Sequence, residues 1–215
     1  MINIIIADDY PIIRQGLRRI LTKEAGFSVV AEAGTISELR DVLSKVQGLN
    51  LLILDLSMPG GSGLEVLEEI KGSYPQLLVL ILSFYPEGQL GLRAFKGGAS
   101  GYLCKECAPE LLVEAIQAII KGKRYFGKVT EDLIFNELGS KPATDRPRHS
   151  LLSNRELHVF IQLGEGKTLT EIGKDLSLSV KTVSTYRQRV LQKMGKTTNA
   201  QIIGYVLRHG LLRSS

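Results

Sequence analysis

The residues best equipped for chemistry are three aspartates, a serine and a lysine: Asp8 and Asp9 side by side, Asp55 heading Asp55-Leu-Ser57-Met58-Pro59-Gly60, Ser83 and Lys105. Carboxylates held a few ångströms apart raise one another's pKa unless a cation offsets them. A hard divalent ion, Mg2+ by preference, takes oxygen ligands of this kind and can hold a phosphoryl group. Ser83 and Lys105 would add a hydroxyl and an ammonium to the same rim. The set does this chemistry only if the fold gathers it.

The surrounding pattern gathers it. Short aliphatic runs at residues 4–7, 29–31, 51–54, 77–82 and 101–103 read as buried strands. Helical periodicity fills the intervals, over residues 12–22, 36–46, 63–73, 87–96 and 109–121. Strands alternating with helices imply an α/β fold: a doubly wound, five-stranded parallel sheet with helices on both faces. Its site belongs at the carboxyl ends of the strands. Asp8 and Asp9 follow the first strand, Asp55 the third, Ser83 ends the fourth and Lys105 follows the fifth. With the first and third strands adjacent, the acids converge.

The chain changes character after this part. Residues 1–138 hold 14 Lys and Arg against 17 Asp and Glu, a net of −3; residues 139–215 hold 13 against 5, a net of +8, which together give the chain's +5. A short helix near residues 130–138 precedes a stretch, 139–150, with Pro142, Pro147 and Gly139 and no apolar period. The organisation expected is a domain over 1–123, a linker with a short helix over 124–150, and a smaller all-α domain over 151–215. In the last, Ser153 with Glu156, Thr168 with Glu171, and Ser179 mark helix starts. A strongly basic domain suggests a polyanionic partner.

No apolar run reaches the roughly 18 residues a membrane span needs, and the run after Met1 lacks the flanks of a secretion signal. No membrane partner and a cytoplasmic location are expected. Cys104-x-x-Cys107 has no second Cys or His pair to complete a zinc set, so two separate thiols are expected.

Asp8-Asp9, Asp55-x-x-Met58-Pro59-Gly60, Ser83 and Lys105, each at the end of its strand, resemble the receiver domain of two-component response regulators of the NarL/FixJ type. The resemblance covers about residues 1–123. It implies that Asp55 takes a phosphoryl group from a sensor histidine kinase. Asp9, Asp55 and the carbonyl of Ser57 would bind Mg2+, with Asp8 acting through water. Lys105 would neutralise phosphoryl oxygens, Ser83 would hydrogen-bond one of them, and Tyr102 would be the switching aromatic. Tyr10 stands where members of this subfamily usually carry His.

Leu152-Ser153-Asn154-Arg155-Glu156, Leu163, Gly166, Glu171-Ile172-Gly173, Leu176, Ser179 to Val183 and Lys193-Met194 resemble the LuxR-type helix-turn-helix domain. A helix over residues 180–194 would put Val183, Tyr186, Val190, Leu191 and Met194 in the core. It would display Lys181, Ser184, Thr185, Gln188 and Gln192 as a stripe able to enter a major groove. The resemblance implies double-stranded DNA as partner, with base contacts from Ser184, Thr185 and Gln188. Lys181, Arg187, Arg189 and Lys193 would grip phosphates, Thr182 would offer a hydroxyl, and Thr168 would support the first helix of the motif. Many relatives have Lys and His where Ser184 and Tyr186 stand, so the operator preference should be its own.

A homodimer is expected, with Ile202, Ile203, Val206 and Leu207 of the last helix serving either its seam or the core, and RNA polymerase is a candidate partner. Two other classes compete. A haloacid-dehalogenase-type phosphatase needs Asp-x-Asp after its first strand, and Asp55-Leu-Ser57 lacks the second acid. A phosphorylation-independent DNA or RNA binder with a vestigial receiver would show no dependence on Asp55; an RNA reader would also need aromatic platforms, which the stripe lacks.

Overall fold

The computed structural model of the chain describes residues 1–107, 109–138 and 147–212. Residues 139–146 of the expected linker lie outside the described residues. Contacts divide the chain into two units, Met1–Leu133 and Ile134–Ser215.

In the first unit, strands β1 (Ile2–Ala7), β2 (Phe27–Ala33), β3 (Leu51–Leu54), β4 (Leu78–Ser83) and β5 (Gly101–Cys104) form one sheet in the order β2-β1-β3-β4-β5. Every pairing is parallel. Between them run α1 (Pro11–Leu21), α2 (Ile36–Lys45), α3 (Gly63–Ser73) and α4 (Glu87–Lys96), and α5 (Pro109–Ile120) and α6 (Lys128–Leu138) follow.

Strand alternation divides the core in two. Ile4, Ile6, Ile53, Leu80, Leu82 and Leu103 meet Leu17 and Leu21 of α1 and Leu112, Ile116 and Ile119 of α5. Ile5, Leu52, Leu54 and Ile81 alternate with these and are likewise buried. Full burial of each such side chain contributes about 1.5–3 kcal/mol, which fixes the register and with it the site. Edge strand β2 is only half-buried and extends two residues beyond each end of the 29–31 run, because partial exposure breaks the apolar run that marks central strands.

The second unit is helical: α7 (Asn154–Gly164), α8 (Leu169–Leu176), α9 (Val180–Met194) and α10 (Asn199–Arg208), with a short 3-10 turn at Arg148–Leu151. Ser153 with Glu156 and Thr168 with Glu171 close reciprocal capping boxes. Ser179 and Thr198 cap α9 and α10 by accepting from the amides of Thr182 and Gln201. Phe160, Ile172, Val183, Val190, Ile202 and Val206 are wholly buried in this unit. Tyr186, expected in the core, is half-buried, with the Arg189 guanidinium 5.9 Å from its ring centroid. On α10, Ile202 and Val206 face the core while Leu207 stays 58% exposed, so the four apolar residues divide between inside and outside.

Candidate functional site

Sheet register builds the acidic pocket. Ala7 lies opposite Leu54, and the Asp55 amide donates to the Ala7 carbonyl at 2.9 Å, so Asp8 and Asp55 leave adjacent strands together. Ser83 lies opposite Cys104, and the Lys105 amide donates to the Ser83 carbonyl at 2.9 Å. All lie at the carboxyl edge, where the order reverses between β1 and β3.

Asp8 and Asp55 are each 1% exposed and Asp9 is half-buried. One carboxylate oxygen from each lies within 4.8 Å of the others. Lys105 reaches between two of them, its Nζ 2.7 Å from Asp8 Oδ2 and 2.9 Å from Asp55 Oδ2. Asp55 Oδ1 accepts from the Ser57 amide at 3.1 Å, and Asp8 Oδ1 from the Tyr10 amide at 2.9 Å. Burial holds the Asp55 carboxyl above its ordinary pKa; Lys105 opposes this and Asp8 adds to it. An all-oxygen donor set of three carboxyls fits a hard divalent cation.

Sequence reasoning missed the aromatic flank. Lys105 Nζ lies 4.8 Å from the Phe84 ring centroid and 5.5 Å from that of Tyr10. The two rings meet edge to face at 6.1 Å. The signal was present: Phe84 directly follows Ser83 and Tyr10 directly follows Asp9, so both must flank the same rim.

Ser83 is buried, and its Oγ accepts from the Tyr85 amide at 3.2 Å. Tyr102 is turned inward, 1% exposed, and its hydroxyl donates to the Tyr85 carbonyl at 2.8 Å. Burial pushes the Tyr102 pKa up, so the phenol stays protonated. Cys104 and Cys107 are both free. Cys107 packs with the core shared by α1 and α5, whereas strand alternation turns Cys104 away from it.

In the second unit, Lys181, Thr185, Gln188, Arg189 and Gln192 are exposed along α9, while Thr182, Ser184 and Arg187 are half-buried. Thr185 Oγ1 donates to the Lys181 carbonyl at 3.1 Å, and the hydroxyls of Thr182 and Ser179 are 2.8 Å apart. Arg187 Nε donates to Asn199 Oδ1 at 2.7 Å, which ties α9 to α10. Thr168 donates its hydroxyl to Glu171 within its capping box. Lys193 Nζ lies 2.6 Å from Glu156 Oε2 and 3.4 Å from the Leu151 carbonyl. That ammonium is engaged inside the unit, because Glu156 is buried and needs a counter-charge. Burial would raise the Glu156 pKa, but Lys193 and Ser153 together hold it below the ordinary value.

Among the described residues no helix is long and apolar enough to cross a membrane. Two family models match: the response regulator receiver domain over residues 4–117, and the bacterial regulatory proteins of the luxR family over residues 150–206. The chain is 32% identical over 212 residues to the response regulator UvrY of Escherichia coli K12, covering 98% of this chain and 96% of that protein. A structure of RcsB from Salmonella enterica serovar Typhimurium, bound to promoter rprA in the presence of the phosphomimetic BeF3−, aligns with TM-score 0.70 and 29% identity. It covers 96% of this chain and 98% of that one. A structure of two RcsB dimers bound to two parallel DNAs aligns with TM-score 0.60 and 29% identity, at 96% and 98% coverage.

Proposed function

Because the chain belongs to the response regulators that join a receiver domain to a LuxR-type DNA-binding domain, we propose that Asp55 is its phosphoacceptor and α9 its operator-reading helix. The observation that carries this is the pocket itself: a buried carboxylate bridged by Lys105 to Asp8 and set beside Asp9.

A sensor histidine kinase is the proposed donor. An Asp55 oxygen attacks the phosphorus of the kinase's phosphohistidine; the P–N bond breaks as the O–P bond forms, leaving an acyl phosphate. Asp9, Asp55 and the Ser57 carbonyl are the ligands we assign to Mg2+, with Asp8 acting through water. The ion, when bound, supplies charge compensation for the phosphoryl oxygens. Lys105 exchanges part of its hold on Asp55 for a phosphoryl oxygen, and Ser83 donates its hydroxyl to another. Tyr102 favours its inward position, which shifts the population of receiver conformations.

On DNA, Ser184, Thr185 and Gln188 read base edges. Lys181, Arg187, Arg189 and Lys193 hold phosphates, with Thr182 and Thr168 at the backbone. The similarity to RcsB on promoter DNA and to paired RcsB dimers supports this and a homodimer here. Two tethered reading heads gain affinity through effective concentration. The cytoplasm is the proposed location, and RNA polymerase a proposed partner at the promoter.

The deciding experiment is labelling with radioactive acetyl phosphate in the presence of Mg2+. Asp55→Asn should incorporate no phosphate, and labelling at the parent level would refute the assigned nucleophile. Chelating Mg2+ should stop transfer to the parent protein; transfer that continues undiminished would remove the ion from the scheme.

A further inference from the structure

Strand β5 is the edge of the sheet, and an open edge leaves backbone groups without partners. The segment after α5 covers it. The Tyr102 amide donates to the Tyr125 carbonyl at 2.9 Å, and the Tyr125 amide donates to the Ser100 carbonyl at 3.0 Å. Gly101 makes this approach possible, since a Cβ there would lie 2.8 Å from the Tyr125 carbonyl oxygen. The same segment is fastened to α4 by side chains. Phe126 is buried against Phe95, ring centroids 5.7 Å apart and edge to face. Arg124 places its guanidinium 4.6 Å from the Phe95 centroid and donates to the Ala99 carbonyl at 2.9 Å.

At the start of α4, Glu87 Oε1 accepts from the Gly127 amide at 2.7 Å. Thr130, at the head of α6, is wholly buried and sits over Gly91, where a Cβ would collide with its hydroxyl oxygen. Only a residue without a side chain leaves that seat open. The residues that hold this segment follow directly on the rim of the pocket. Ser83, Tyr85 and Glu87 follow one another at alternate positions: Ser83 lies on the acidic rim, Tyr85 accepts the Tyr102 hydroxyl, and Glu87 holds Gly127.

We propose that residues 124–130 are an output strap: the grip of α4 and β5 on them, through Glu87, Gly91 and the Tyr102 backbone, changes when Asp55 is phosphorylated and passes that change along the chain to the DNA-binding unit. This rests on Asp55 as phosphoacceptor. The strap is the first part of the chain beyond α5, so a shift of the loop from Ser83 to Glu87 reaches it directly.

The test uses the full chain, with acetyl phosphate and Mg2+ as the phosphorylating mixture and a duplex selected by the phosphorylated parent from a random-sequence pool. Gly91→Ala unseats Thr130, and Thr130→Ala removes the seated hydroxyl without adding bulk; Glu87→Ala releases Gly127. All three should take up phosphate as the parent does. The ratio of DNA affinities with and without phosphate should fall from the parent's value to within about twofold of unity in Gly91→Ala, and at least halve in the other two. Hydrogen exchange in residues 124–130 of the parent should change on phosphorylation by threefold or more at Tyr125 and Gly127. Normal phosphate uptake with unchanged exchange at those amides, or variants that keep the parent's affinity ratio, would overturn the strap while leaving the phosphoacceptor in place. A parent that takes up no phosphate would overturn both.

Discussion

Replacing Lys105 with methionine removes the ammonium that lies between Asp8 and Asp55 while keeping an unbranched side chain. At 2.7 and 2.9 Å, and with an effective dielectric of about 20, each attraction has a gross value of about 6 kcal/mol. Most of that offsets the cost of drying the charges. What is lost when one member of a buried pair is deleted is about 3–5 kcal/mol, because the remaining charges stay buried without compensation. For a unit the size of Met1–Leu133, a kilocalorie moves the midpoint by about 3–5 °C, so the drop should be roughly 10–20 °C. The pH dependence gives a second handle. Burial already holds Asp55 above its ordinary pKa, and removal of Lys105 pushes it further. A carboxyl whose folded pKa exceeds its unfolded one loses stability as pH rises through the folded value. The deficit should therefore be larger at about pH 8 than at about pH 5, because lowering the pH favours the protonated acid. Millimolar Mg2+ should recover part of it, since a ligand of the folded state alone stabilises that state. Calorimetry of the full chain at both pH values, with and without Mg2+, reads all of this. A Lys105→Met protein melting within about 2 °C of the parent at the higher pH, without divalent cation, would refute a shared dry pocket.

Two further predictions concern the second unit. Gln188→Ala should change which sequences are selected from a random pool, whereas Arg189→Ala should weaken all duplexes similarly and lower the salt slope by about one; matching selection profiles would remove the division between base and phosphate contacts. Glu156 is held below its ordinary pKa, so its contribution is present above the unfolded carboxylate value and lost as pH falls through the folded one. Glu156→Gln should cost the unit about 1 kcal/mol at neutral pH, allowing for the partly exposed Lys193, and flatten its acid-side melting curve.

The central strands were legible because they are buried on both sides. Leu51–Leu54 is an unbroken aliphatic run, and its observed limits are those of the run. Gly63–Ser73 and Glu87–Lys96 were legible as well, bounded by glycine or serine and a clear helical period. The pocket followed from topology, since parallel order alone places residues 8, 55, 83 and 105 on one edge. Long-range pairing was harder. Nothing local in Lys193-Met194 reveals that its ammonium belongs to Glu156, 37 residues earlier. Residues 124–127 read as linker because the bridge they make to β5 is too short to create an alternating pattern. Tyr186 was misplaced because a helical wheel marks a face and not its depth; the ring lies at the margin of the core, where Arg189 can reach it.

The hydroxyl of Ser83 shows how little displacement the mechanism requires. A hydroxyl can accept and donate at the same time, and here the acceptor side is already taken by the Tyr85 amide at 3.2 Å. If, as proposed, the hydrogen is turned to a phosphoryl oxygen, the bond to Tyr85 need not break, and a shift of Ser83 that keeps it carries Tyr85 along. Tyr85 in turn is bonded through its carbonyl to Tyr102, at 2.8 Å. Moving the aromatic from its buried position breaks that hydrogen bond, at a cost of about 1–3 kcal/mol. A coupling free energy of about that size corresponds to a change in population of some five- to 150-fold. The phosphoryl group therefore needs no large rearrangement of its own making. It has only to bias a loop in which one residue in two is already tied to something downstream.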